Sequence, residues 1–173
     1  MANAARTAMA GLAMAMAMVL AAATETDAAG CVRAVDPGLA ALIADTAGRS
    51  ATLRQMIEAV DAYDGLVYVE RGRCGHGVRA CLNFLSAAGP NRFLRITLDD
   101  RGTDDQAMGS LGHELRHVLE VLGEPAVISK ATMHLFYHGM AMRRGGGFET
   151  SAAIVAGNTV REELRKARLA GGK

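Results

Sequence analysis

Tryptophan is absent, and aromatic residues make up only 4% of the 173-residue chain. So few ring faces exclude the stacking platforms on which proteins hold single-stranded nucleic acid. An excess of one charge is also missing, with 19 Lys and Arg against 18 Asp and Glu. Loss of Arg6 with an N-terminal targeting segment would bring the two into balance. Nucleic acid and anionic membrane surfaces therefore have no electrostatic claim as partners. Past the N-terminus no run is long and apolar enough to cross a bilayer, so no transmembrane segment is expected in the mature chain.

The N-terminus is where the apolar residues gather. Between Met1 and Ala23 the one charge is Arg6, followed by an Ala/Met/Leu run from Gly11 that ends on Ala21-Ala22-Ala23. A positive start, a short apolar stretch and small residues at its end read as a secretory signal peptide over 1–23. The run is shorter than the ~20 residues that span a membrane, which argues against an anchor. Residues 24–173 then form one domain, exported to the periplasm or secreted.

Cysteine usage agrees with export. Cys74 and Cys81 enclose a short loop that a disulfide would close, leaving Cys31 over. Ala28-Ala29-Gly30-Cys31 is similar to a bacterial lipoprotein cleavage site, which would make Cys31 a lipid anchor. Against that reading, Ala28 stands where a large aliphatic is usual, and Cys31 lies well past the apolar run. A soluble exported protein is the favoured expectation.

Asp36-Pro37 is a helix start, and that helix is expected to run to Asp45. Leu53, Met56, Ile57 and Val60 recur at helical spacing in a second helix that stops near Gly65. Leu66 to Val69, Ala80 to Leu85 and Phe93 to Leu98 read as strands, the last two joined by a turn at Gly89-Pro90-Asn91. Thr103 and Gln106 form a capping box before a helix reaching Leu122, with Gly123 and Pro125 closing it. Ser129 caps a helix expected to continue through Met142, Gly145-Gly146-Gly147 breaks the chain, and a last helix runs from Glu149 to Ala170. The expected class is α+β, with a small antiparallel sheet packed against helices.

The chemistry lies in His113-Glu114-Leu115-Arg116-His117, inside the helix that Thr103 caps. Residues four apart share a helix face, so both imidazoles reach one zinc ion. Glu114, turned about 100° from His113, is placed to act as a base without coordinating. Zinc brings the pKa of a coordinated water toward neutral, and Glu114 takes its proton as that water attacks a carbonyl. Met108, Leu111, Leu115, Val118 and Leu122 form an apolar stripe nearly opposite the histidines.

A catalytic zinc takes three protein ligands. Glu120 shares the histidine face but stands about 10.5 Å along the axis from His113, too far for the same ion. It is either a partner that orients a ligand or a surface charge. Glu124, past the helix stop, has no supporting pattern. Glu149 precedes Ala153, Ala156, Val160 and Leu164 on the expected apolar face of the last helix, where a carboxylate needs a partner or a metal. It is the preferred third ligand; a solvated first-turn Glu is the blander reading. His134 and His138 form a second pair at helical spacing, read either as surface histidines or with His138 or Tyr137 donating to the transition-state oxyanion. A rival reading makes His134 or His138 the third ligand. Arg116, Arg143 and Arg144 read as solvated charges before substrate binders, and the loop holding His76 as a stapled loop before a metal site.

Leu111-Gly112-His113-Glu114-Leu115-Arg116-His117, with Phe148-Glu149-Thr150 downstream, resembles the zincin metallopeptidases, closest to their Glu-ligand branch, the gluzincins. The chain is also similar to small exported bacterial proteins with a Gly-His-Glu-Leu-x-His core and a later Glu-Thr-x-x-Ala segment. The resemblance spans roughly residues 94–164. It implies His113, His117 and Glu149 as ligands of one zinc ion, Glu114 as general base, and a strand-edged cleft for an extended peptide or protein substrate. Where metzincins carry a glycine this chain has Glu120. Where gluzincins carry an Asn before the ligand Glu and an Asp four after it, Phe148 and Ala153 stand. A carboxylate to orient a histidine must then come from elsewhere, with Glu120 the candidate. The expectation is an exported zinc metallopeptidase; the alternative is an envelope protein of the same fold that binds zinc without catalysis.

Overall fold

Short polar side chains set where the helices begin. Asp36 accepts the Leu39 amide at 2.7 Å and starts helix α1 (Pro37–Arg49). Ser50 closes α1 and, accepting from Leu53 at 3.1 Å, opens α2 (Ala51–Val60). Thr103 caps α3 (Asp104–Leu122), and Ser129 caps α4 (Lys130–Met140) through the Thr132 amide. Thr150 accepts the Ala153 amide at 3.1 Å and starts α5 (Ser151–Gly171). Each hydroxyl or carboxylate satisfies one of the free amides of a first helical turn.

The computed structural model describes residues 30–75, 77–99, 101–140, 142–144 and 147–171. The expected signal peptide, Ala28-Ala29 of the lipoprotein-like site, His76, Gly145-Gly146 and the side chains of Arg143 and Arg144 lie outside them.

The class is α+β, as expected, but the sheet is mixed. Its strands run in the order β1 (Val32–Ala34), β2 (Gly65–Arg71), β4 (Asn91–Leu98), β3 (Ala80–Ala88). β1 and β4 both pair with β2 in parallel, and β3 with β4 antiparallel. Two features turn the expected antiparallel sheet into this one. The three-residue β1 is too short to register as a strand by alternation, and it enters beside β2 by the α1–α2 crossover. Then β4, whose Leu94, Ile96 and Leu98 are fully buried, takes the interior place while β3 keeps the edge. The outer half of β3 is solvated, with a bulge at Leu85, as suits an edge strand.

α3 lies across β3 and β4 and packs against α2 and α5. Its expected stripe, Met108, Leu111, Leu115, Val118 and Leu122, is buried throughout. Its end is held by buried Arg92, which pairs with Asp64 and donates to the carbonyls of Val121, Leu122 and Glu124 at 2.6–3.0 Å. That guanidinium satisfies acceptors a helix terminus leaves bare.

Two boundaries differ from expectation in the region of the site. α4 stops at Met140, and Met142 begins β5 (Met142–Arg144), which pairs antiparallel with β6 (Gly147–Glu149). A short antiparallel strand pair therefore stands where the end of α4 was expected. Glu149 lies in β6 and not in the first turn of α5, because Thr150 takes the capping position. Among the described residues no helix is long and apolar enough to cross a membrane.

Candidate metal centre

The helix crossing of α3 and α5 builds the site. A Cβ on Gly157 of α5 would stand 2.8 Å from the Gly109 carbonyl oxygen and 3.0 Å from His113 Cβ. One on Gly112 would meet a Val160 methyl at 2.7 Å. Only hydrogen fits at these positions, so the backbones close in and the start of α5 arrives beside His113. Glu149, just before that start, is thereby set 3.2 Å from His113 Nε2 through its Oε2.

One donor atom from each of His113, His117 and Glu149 lies within 4.8 Å of the other two. The two imidazoles, one turn apart on α3, meet edge to face with centroids 4.8 Å apart. His117 is buried, and its Nε2 has no hydrogen-bond partner among the described residues. A buried polar atom without a partner is costly unless something binds it, and this one sits in the three-donor cluster. Two imidazole nitrogens and one carboxylate oxygen are a donor set that zinc takes. Tetrahedral zinc spaces its ligands by roughly 3.4 Å, so the widest edge must tighten by on the order of 1 Å. The residues fit a zinc ion.

Behind the cluster, a carboxylate fixes the buried histidine. His117 Nδ1–H donates to Glu120 Oε2 at 2.9 Å, which leaves the Nε2 lone pair for the centre. Glu120 Oε1 accepts the Thr150 hydroxyl at 2.7 Å, and Arg116 lies 3.6 Å away. Burial pushes the Glu120 carboxyl up, but the hydrogen bonds from His117 and Thr150 and the His117 and Arg116 charges outweigh it and hold it below its ordinary value. Of the two readings of Glu120, the histidine partner is the one the structure realises. Thr150 both caps α5 and ties it to Glu120, a role that its place in the Glu-Thr-x-x-Ala segment did not disclose. Its signal was there: a threonine directly before a helical pattern is a cap.

Glu114 points into the same cleft and is buried. Its carboxyl is pushed up to about 7, chiefly by burial and also by the Glu149 charge, against the lowering pull of His117 and a hydrogen bond from the Leu82 backbone. His113 is shifted down, first by burial and then by the His117 charge; Arg161 adds to this, while Glu149 and Glu120 oppose it. The neutral imidazole is the form that binds a metal.

The cleft holds about 220 Å³, and its apolar wall includes Leu82, Met133, Tyr137 and Phe148. The Tyr137 ring lines it, but the hydroxyl is turned away, donating to the His117 carbonyl at 3.0 Å with Glu120 Oε2 at 3.4 Å. His138 is exposed, beside Phe148, and is not among the residues lining the cleft. His134 is likewise exposed, 5.1 Å from the Phe148 ring centroid and outside the donor cluster. Glu124 lies at the far end of α3, accepting the Ala126 amide. The structure thus brings His113, Glu114, His117, Glu149 and Tyr137 to one place and leaves His138 outside it.

No family model, no curated protein and no solved structure matches the chain.

Proposed function

We propose that the chain is an exported zinc-dependent peptidase of zincin type, with His113, His117 and Glu149 as zinc ligands and Glu114 as general base. The observation that carries the reading is the meeting of a three-donor cluster with the buried Glu114 carboxyl, pushed up to about 7, in one cleft. When bound, the zinc ion would supply Lewis acidity, polarising the scissile carbonyl and acidifying the attacking water.

The chain's own groups do the rest. Glu114, with its carboxyl near 7 in the metal-free protein, accepts a proton from the attacking water and returns it to the departing amine. The hydrogen bond from the Leu82 backbone fixes its position against β3. Glu120 keeps His117 in the tautomer that leaves Nε2 unprotonated. β3, an edge strand that reaches the cleft at Cys81 and Leu82, offers unpaired backbone groups along which an extended peptide can lie. Tyr137, whose hydroxyl is held by the His117 carbonyl, keeps the histidine helix in place; the oxyanion role considered for it and for His138 has no geometric support. Export rests on the 1–23 pattern together with the Cys74–Cys81 disulfide.

The deciding experiment compares Glu114→Gln with His117→Ala for zinc content and for cleavage of a mixed peptide library. Glu114→Gln is expected to hold about one zinc per chain and lose at least 10²-fold in hydrolysis. His117→Ala loses zinc and hydrolysis together. Cleavage by Glu114→Gln at the wild-type rate overturns the mechanism. One observation favours zinc binding without catalysis: the part of the cleft directly over the donors, about 220 Å³ without its adjoining lobe, is smaller than the ~300–1,000 Å³ usual for ligand sites. That second reading predicts stoichiometric zinc in the wild type with no peptide cleaved.

A further inference from the structure

Beyond His113 and Glu149 the cleft opens into a second lobe of about 280 Å³. Its walls share His113, Glu114 and Glu149 with the metal cleft and add Ser110, Arg79 and Arg161. Arg161 rises from α5, and its stem crosses α3 over Gly109: a Cβ there would stand 2.2 Å from Arg161 Cγ. The glycine makes the bed in which the stem lies. Its guanidinium donates from Nη1 to the neutral Asn158 side chain at 2.6 Å, and it has no carboxylate partner among the described residues. Arg79, leading into β3, donates to the Arg101 carbonyl at 2.5 Å and likewise pairs with no described carboxylate.

The two carboxylates in the lobe wall, Glu114 and Glu149, belong to the centre itself. Arg116 faces Glu120, and Glu149 faces His113. Two guanidiniums without acid partners, one with its stem bedded between helices, therefore border the reacting centre on one side. A planar fork of donors with no internal acceptor suits a carboxylate, which it can bind through two parallel hydrogen bonds.

We infer that this lobe binds a substrate carboxylate, with Arg161 as the principal contact and Arg79 in support, so that the enzyme selects peptides bearing a carboxylate close to the bond it cleaves. The inference rests on the peptidase reading for its substrate but not for its binding chemistry. The carboxylate is either the peptide's own C-terminus or an Asp or Glu side chain. In both cases Arg161 acts in specificity and touches no reacting atom.

The test uses the zinc-loaded full chain and acetylated hexapeptides in four forms: free acid or C-terminal amide, each with Asp or Asn at successive positions. Wild type is expected to prefer one carboxylate form by about tenfold or more in kcat/KM, through KM. Discrimination between acid and amide assigns the C-terminus, and between Asp and Asn a side chain. Arg161→Met, which keeps a stem over Gly109 and removes the charge, is expected to bring the ratio close to one, and Arg161→Lys to retain part of it. Arg161→Gln makes the same comparison should Met fail to fold. Equal use of all four forms by wild type, or an unchanged ratio in the uncharged variants, overturns the inference. Calorimetric binding of the same peptides to zinc-loaded Glu114→Gln provides a readout without turnover. If wild type cleaves nothing but this variant still binds carboxylate forms more tightly and Arg161→Met abolishes the difference, the peptidase reading fails and the carboxylate site stands.

Discussion

Glu114 carries a cost that its position explains. A carboxyl raised to about 7 in the folded metal-free protein, against an ordinary value of 4.5, favours the protonated form. Its contribution to stability is therefore fully present below about pH 4.5 and is lost as pH rises through 7. The shift corresponds to about 3 kcal/mol. Glu114→Gln should accordingly stabilise the metal-free protein at pH 8, with the gap from wild type closing toward pH 4; thermal melts across that range check it. His113 titrates in part of the same window with the opposite sign, since burial lowers it and folding then favours its neutral form. The difference between wild type and Glu114→Gln removes most of that contribution. At Glu120 the expectation concerns the metal. Glu120→Gln keeps the shape but weakens the bond that orients His117, and should loosen zinc binding about 10–100-fold in a chelator competition. This part of the site was legible because helical spacing alone puts His113, Glu114 and His117 on adjoining faces. Glu120 was legible only as two readings, since nothing local says whether a carboxylate three residues past a histidine meets it or the solvent.

At the scale of elements, the site depends on how closely two helices approach. Gly157→Ala adds a methyl 2.8 Å from the Gly109 carbonyl and 3.0 Å from His113 Cβ, with backbone on one side that cannot move away. Overpacking of this kind costs about 1–3 kcal/mol, partly offset by the ~1 kcal/mol that alanine gains over glycine in a helix. The larger expected effect is on binding. Displacing α5 draws Glu149 away from His113, so zinc affinity should fall by more than the loss of stability suggests, as chemical denaturation beside metal titration would show. A variant of wild-type zinc affinity would mean that β6 holds Glu149 independently of the crossing. Sequence reasoning placed Glu149 at the centre for a reason the structure replaces. Its spacing to Ala153, Ala156, Val160 and Leu164 suggested a helical face, whereas Thr150 ends the helix first and β6 delivers the carboxylate from a strand. Glycines at 109, 112 and 157 gave no warning, because close approach depends on which helix lies opposite, and periodicity within one helix does not contain that.

For the whole molecule, helices were easier to foresee than the order of strands. Caps and apolar periodicity are local, and Asp36, Ser129 and Thr103 act as their sequence contexts imply. Strand order depends on partners far apart in the chain, and a three-residue β1 leaves almost no pattern to read. The expected Cys74–Cys81 bond bridges both kinds of information: it closes a loop of sequence separation 7 between a glycine-rich connection and the start of edge strand β3. Cys81 itself lines the cleft beside the donor cluster, with Val78 and Ala80 next to it. Closing so short a loop restricts the unfolded chain by about 2–3 kcal/mol. Reduction, or Cys74→Ser with Cys81→Ser, should lower stability by that order while leaving α3 and its two histidine donors intact. Zinc should therefore still bind the reduced protein, at somewhat lower affinity through Glu149 and the cleft wall, while peptide cleavage falls further because β3 loses its fixed approach to Glu114. Parallel measurements of melting, zinc content and hydrolysis with and without reductant separate the three. If cleavage persists unchanged after reduction, the staple serves stability alone and β3 does not align the substrate.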